Sequence, residues 1–74
     1  MTNDAAARLV DARGMRCPWP ALRLARAIRE AAEVLLIADD PNAGREVAAL
    51  ATEHGWALED ESAQEGDGRW RVRR

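Results

Sequence analysis

Residues 20–38 read Pro-Ala-Leu-Arg-Leu-Ala-Arg-Ala-Ile-Arg-Glu-Ala-Ala-Glu-Val-Leu-Leu-Ile-Ala, and their hydrophobic pattern changes period once. Ala21, Leu24, Ala25, Ile28, Ala31 and Ala32 recur at helical spacing, with Arg23, Arg26, Arg29 and Glu30 off that stripe. Residues 34–38 are continuously apolar, which suits a strand that is central in its sheet or covered on both faces. Pro20 opens the helix: Cys17 and Trp19 each precede a proline and are biased away from helical dihedrals, and a first-turn proline gives up an amide that has no partner there.

The flanks extend this helix–strand unit. Upstream, residues 8–12 read as a short strand closed by Arg13-Gly14, after a frayed tail of residues 1–7. Downstream, Asp39-Asp40-Pro41 signals a second helix, with Asp40 as N-cap and Pro41 in the first turn. That helix runs to about His54, turns Ala43, Val47, Leu50 and Ala51 to the core, and stops at Gly55. Trp56 and Leu58 alternate with Ala57 and Glu59 as a half-buried strand. Residues 64–68 form a turn, and Trp70 and Val72 alternate with Arg69, Arg71 and Arg73 in a last strand. The order is β-α-β-α-β-β. Right-handed crossovers then place both helices on one face of a four-stranded sheet, a two-layer α/β sandwich. Glu59, Asp60 and Glu61 are positioned to face the three arginines across the final strand pair.

The chain has 74 residues, enough for one domain. Nearly half of its apolar residues are alanine, and it has no Phe or Tyr. A core this small leaves little spare volume for an internal ligand pocket, so function is expected on the surface. The formal net charge is −2 and every basic residue is arginine. A Schiff-base lysine and a Walker-type phosphate lysine are therefore excluded, and an acidic domain is not expected to bind nucleic acid directly. The first residues carry neither the basic nor the apolar region of a secretory signal. No apolar run approaches membrane-spanning length, so no membrane association is expected. A lone free cysteine fits the reducing cytoplasm.

That cysteine is Cys17, within Gly14-Met15-Arg16-Cys17-Pro18-Trp19-Pro20. It is either a small buried hydrophobe or an exposed thiol. Gly14, Arg16, Pro18 and Pro20 describe a loop-to-helix junction and favour the exposed thiol, where a helix N-terminus and nearby arginines lower a thiol's pKa. A cysteine hydrolase needs a base, and the only histidine, His54, ends the second helix, where a cap or surface role explains it. A dithiol cycle lacks its second cysteine. Zinc and iron–sulfur sites need more ligands than one Cys and one His, so no metal and no cofactor are expected. What remains is chemistry one thiol can do alone: accept a sulfur from a partner, keep it and pass it on.

Residues 11–20, Asp-Ala-Arg-Gly-Met-Arg-Cys-Pro-Trp-Pro, resemble the signature of the TusA/SirA family of small sulfur-carrier proteins, whose hallmark is Cys-Pro-x-Pro. Asp39-Asp40-Pro41 resembles the family's second motif. The resemblance spans residues 9–73 and implies a single domain over residues 8–74 with a mixed four-stranded sheet. It implies that Cys17 carries sulfane sulfur as a persulfide, as a sulfurtransferase-type relay rather than a stand-alone turnover enzyme. The implied partners are a donor, a cysteine desulfurase or rhodanese-like protein, and an acceptor in tRNA thiolation, molybdenum-cofactor synthesis or sulfur oxidation. A different class stays open, a binding or regulatory module, or a redox-sensing thiol.

Around the thiol, amides of the first helical turn and the helix dipole are expected to stabilise an anionic persulfide. Arg16 is expected to add positive potential. Arg13 either does the same or is solvated surface charge. Trp19 either anchors a partner or packs over the helix start. Arg23 and Arg26 either extend a docking face or are solvated helix surface. Asp11 is read as a strand or loop hydrogen-bonding group.

Overall fold

Apolar residues two apart on a strand share a face, and on β2 (Glu33–Ala38) the buried positions are Val34, Leu36 and Ala38. The computed structural model describes residues 7–63 and 66–74. Six elements follow in the expected order: β1 (Ala7–Asp11), α1 (Trp19–Glu30), β2, α2 (Ala43–His54), β3 (Ala57–Asp60) and β4 (Gly68–Arg73). They form a two-layer α/β sandwich. The sheet order is β1-β2-β4-β3, with β1 parallel to β2 and the other two pairings antiparallel, so the sheet is mixed.

Register fixes the core. Val10 lies opposite Leu36, Leu36 opposite Trp70, and Val34 opposite Val72. Onto this row pack Leu24, Ala27 and Ile28 of α1 and Ala43 and Val47 of α2. Each of the fully buried Leu24, Ile28, Val34, Leu36, Val47 and Val72 contributes roughly 1.5–3 kcal/mol through burial. Trp70 supplies the one buried aromatic, and Gly68 makes room for it: a Cβ at Gly68 would run into the indole ring. The apolar run of β2 is explained by its central place rather than by cover on both faces. Leu35 and Ile37, on the side away from the helices, are only half-buried.

Three helix boundaries differ from expectation. Helix α1 starts at Trp19, because the Trp19 N–H closes a turn on the Arg16 carbonyl at 2.8 Å, and Pro20 falls at its second position. It ends at Glu30, since Ala31 is extended (φ −136, ψ 142). Asp40 is not the N-cap of α2. The Ala43 N–H bonds the Asp40 carbonyl at 3.0 Å, a turn through Pro41 and Asn42 that delays the helix and leaves Asn42 at the cap position without a side-chain bond. Gly55 ends α2 in the left-handed region (φ 73), as expected. Strand β1 already includes Ala7; the rest of the expected tail, and Gln64 and Glu65 of the expected turn, lie outside the described residues.

The strand-pair charges are partly as expected. Arg71 bridges Glu61 at 2.7 Å and Glu33 at 2.8 Å, and Arg73 meets Glu59 at 3.3 Å. Asp60 instead accepts the Ser62 N–H at 2.9 Å. The exposed Arg73–Glu59 pair contributes little stability.

Candidate functional site

Two connections lie side by side at one end of the sheet. One, residues 12–18, leaves β1 for α1; the other, residues 39–42, leaves β2 for α2. Because β1 and β2 are parallel neighbours, both loops emerge at the same end. They are joined by backbone-to-carboxylate bonds. The Gly14 N–H donates to both Asp39 oxygens at 3.0 and 3.1 Å, and the Cys17 N–H donates to Asp40 Oδ2 at 2.7 Å. Gly14 sits at φ +85, a conformation that L side chains rarely adopt, and this turns its amide toward Asp39.

The thiol so placed is half-buried. On the α1 side, Trp19 is 60% exposed and Leu22 is 51% exposed, so Trp19 does not pack over the helix start and stands free beside the cysteine. A groove of about 190 Å³ runs between the helices, lined by Pro18, Ala21, Leu22, Ala25, Glu46 and Leu50 among others. Pro18 and Pro20 carry no amide proton, the Cys17 amide is taken by Asp40, and the Trp19 amide by Arg16. The expected supply of free first-turn amides for an anionic sulfur is therefore largely spent.

The charges around the sulfur also differ from expectation. Its pKa is raised above the ordinary 9.0, first by burial, then by the Glu46 carboxylate through charge and as an acceptor for the S–H, then by Asp40; only Arg45 acts in the opposite direction. The cation that acts on the thiol's pKa is Arg45 of α2, rather than the Arg16 or Arg13 expected from the sequence. Arg16 is exposed. Arg13 is held by Asp11, its Nε and NH2 at 2.9 and 2.7 Å from the carboxylate, with Asp67 at 3.6 Å. That pairing drives Asp11 down to about 2, first through the Arg13 side-chain bond and then through the Arg13 amide. Asp11 is thus a loop-bonding group as read, and it neutralises Arg13. Arg23 is exposed and directs NH1 to Met15 Sδ at 3.8 Å; with Arg26 it lines a separate groove against β1.

His54 lies two helical turns beyond Glu46, about 12 Å along α2, and stacks on Trp56 at 4.6 Å between ring centroids. It is no base for this thiol. Sequence reasoning took Asp40 for a helix cap and Asp39 for part of the same helix-start signal, and it assigned neither to the cysteine loop. Asp39-Asp40-Pro41 was a visible motif, but its partners lie 25 and 23 residues upstream, out of reach of local pattern.

Among the described residues no helix is long and apolar enough to cross a membrane. The profile of the family described as Sulfurtransferase TusA matches residues 8–74. The fold is similar to the crystal structure of a SirA-like protein from Desulfitobacterium hafniense, with a TM-score of 0.77 and 23% identity over 88% of this chain and 93% of that one.

Proposed function

The chain belongs to the TusA family of sulfurtransferases, and from that premise we propose that it is a sulfur carrier whose cargo rides on Cys17 as a persulfide. The observation that carries this reading is the Cys-Pro-Trp-Pro junction itself: one half-exposed thiol, its loop fixed by Asp39 and Asp40, with no histidine beside it. A base-assisted hydrolase and a dithiol cycle both lack their second group.

In the loading step the Cys17 sulfur attacks the outer sulfur of a donor persulfide. A Cys17–sulfur bond forms as the donor's S–S bond breaks, the bonding pair leaves on the donor thiolate, and that thiolate takes up the proton Cys17 gave up. No external oxidant or reductant is consumed. In the second step an acceptor nucleophile attacks the terminal sulfur and Cys17 leaves as thiolate. A cysteine desulfurase or rhodanese-like protein suits the donor role, and another protein in sulfur delivery the acceptor role. Trp19 and Leu22, exposed beside the thiol, suit a docking contact, since aromatic side chains anchor interfaces. Residues 8–74 act as one unit in this reading, and a reducing compartment such as the cytoplasm keeps the thiol free.

The test is transfer from donor to acceptor with labelled sulfur. Wild-type protein should mediate it and Cys17→Ser should not; full transfer by Cys17→Ser rules out the persulfide relay.

A further inference from the structure

Strand β1 ends the sheet and pairs only with β2. The Ala12 N–H bonds the Ile37 carbonyl of β2 at 2.7 Å. By the two-residue alternation of an extended chain, the N–H and C=O of Leu9 and the N–H of Asp11 then point away from β2. Among the described residues no backbone group takes them. An open edge of this kind is a template for another strand. On its helix side lies a groove of about 340 Å³ between β1 and α1, lined by Arg8, Arg23, Arg26 and Glu30 among others. Glu30 neutralises Arg8 at 2.8 Å. Arg23 and Arg26 are exposed, and neither makes an ion pair among the described residues; Arg23 NH1 rests on the uncharged Met15 Sδ at 3.8 Å. The groove therefore presents two unpaired guanidinium groups in a chain whose net charge is −2.

We propose that this edge receives an acidic extended segment of a partner protein, which adds to the sheet beside β1 and sets alternate carboxylates on Arg23 and Arg26. The surface is built by β1 and α1 and does not depend on Cys17 carrying sulfur.

Spacing narrows the occupant. Arg23 and Arg26 are three residues apart on one helix face, about 4.5 Å along α1. Alternate residues of a strand share a face and lie roughly 6.6–6.8 Å apart, a difference that two long arginine side chains span. Two acidic residues separated by one therefore fit, and each guanidinium can take a carboxylate through two parallel bonds. The residue between them turns to the other face of the sheet. Leu9 lies there, since it alternates with the buried Val10, and it is 61% exposed, so an apolar residue suits that position. Strand addition of this kind takes its affinity from main-chain bonds and its selectivity from alternate side chains. RNA would supply phosphates to the arginines but no N–H and C=O ladder to the outward groups of Leu9. The groove also has a direction. Trp19 lies four residues before Arg23 on the same stripe of α1 and is 60% exposed, so the added strand leads toward the cysteine end of the molecule.

The experiment is an NMR titration of the whole protein with a short capped peptide of alternating glutamate and valine. The amides of β1 and the side-chain Nε–H groups of Arg23 and Arg26 should shift, and amide exchange at Leu9 and Asp11 should slow as the peptide saturates. The double variant Arg23→Gln, Arg26→Gln should bind about tenfold more weakly or worse, and a peptide with lysine in place of glutamate should not bind. No slowing of exchange at Leu9 in the wild type overturns the proposal, and this arm needs no variant to fold. Equal affinity for wild type and the double variant overturns it too. So does a single-stranded RNA oligonucleotide that binds the same arginines more tightly than the peptide. Protection of the Leu9 amide that rises with protein concentration in the absence of peptide would assign the edge to a second copy of this chain and overturn the proposal as well. Cys17→Ser should bind the peptide like the wild type, so failure of the carrier reading leaves this result standing.

Discussion

Replacing Asp40 by alanine removes the carboxylate that accepts the Cys17 N–H at 2.7 Å. A hydrogen bond to a charged acceptor is worth about 1.5–3 kcal/mol when lost, and Asp40 is half-buried, so solvent screening puts the loss near the lower end, about 1.5 kcal/mol. In a domain of this size that lowers the thermal midpoint by roughly 6–12 °C. Asp40→Asn separates this role from a helix cap. Asparagine caps as well as aspartate, so a capping role predicts no change. The observed bond instead predicts a partial loss, because a neutral amide oxygen replaces a charge-assisted acceptor. The assay is thermal unfolding by circular dichroism together with amide hydrogen exchange at Cys17, which should be slow in wild type and fast in Asp40→Ala. Unchanged melting and equally slow exchange in Asp40→Ala would refute the claim that Asp40 holds the cysteine loop.

Other consequences follow from the same geometry. Gly68→Ala places a methyl against the Trp70 ring and should cost about 1–3 kcal/mol by overpacking, read from denaturant unfolding; an unshifted midpoint contradicts the close approach. Asp11 has its pKa lowered from 3.8 to about 2, so its pairing with Arg13 stabilises the fold above pH 4 and is lost as pH falls through about 2. Asp11→Asn should flatten that acid limb of the stability profile, and an identical limb in both proteins counts against the pairing. Trp19→Ala should leave melting unchanged, because the ring is 60% exposed, while sulfur loading at limiting donor slows about tenfold; equal loading rates would remove Trp19 from the docking contact.

Much of the fold was readable because its signals are local and mutually consistent. The helical spacing of Leu24 and Ile28, the apolar run of β2, Gly55 at a helix end and the alternation around Trp70 each name an element without reference to the others. The helix starts were less readable, because they depend on which carbonyl a loop amide finds. Trp19 is helical because its N–H meets Arg16, and α2 begins late because Ala43 meets the Asp40 carbonyl. The cysteine itself was singled out by elimination, but its electrostatic surroundings were inferred from neighbours in the chain. Arg13 and Arg16 are close in sequence, yet one is spent on Asp11 and the other is exposed. Asp40 is 23 residues from Cys17 in sequence yet accepts its N–H, brought there by the parallel pairing of β1 and β2. Long-range partners of this kind follow from topology and register, not from spacing.

The central claim is that Cys17 carries sulfur, and intact-mass measurement after incubation with a cysteine desulfurase and cysteine tests it most directly. The account predicts a gain of one sulfur atom that reductant reverses and that Cys17→Ser lacks. A wild-type mass that stays unchanged beside an active donor, or a gain that persists in Cys17→Ser, would contradict it.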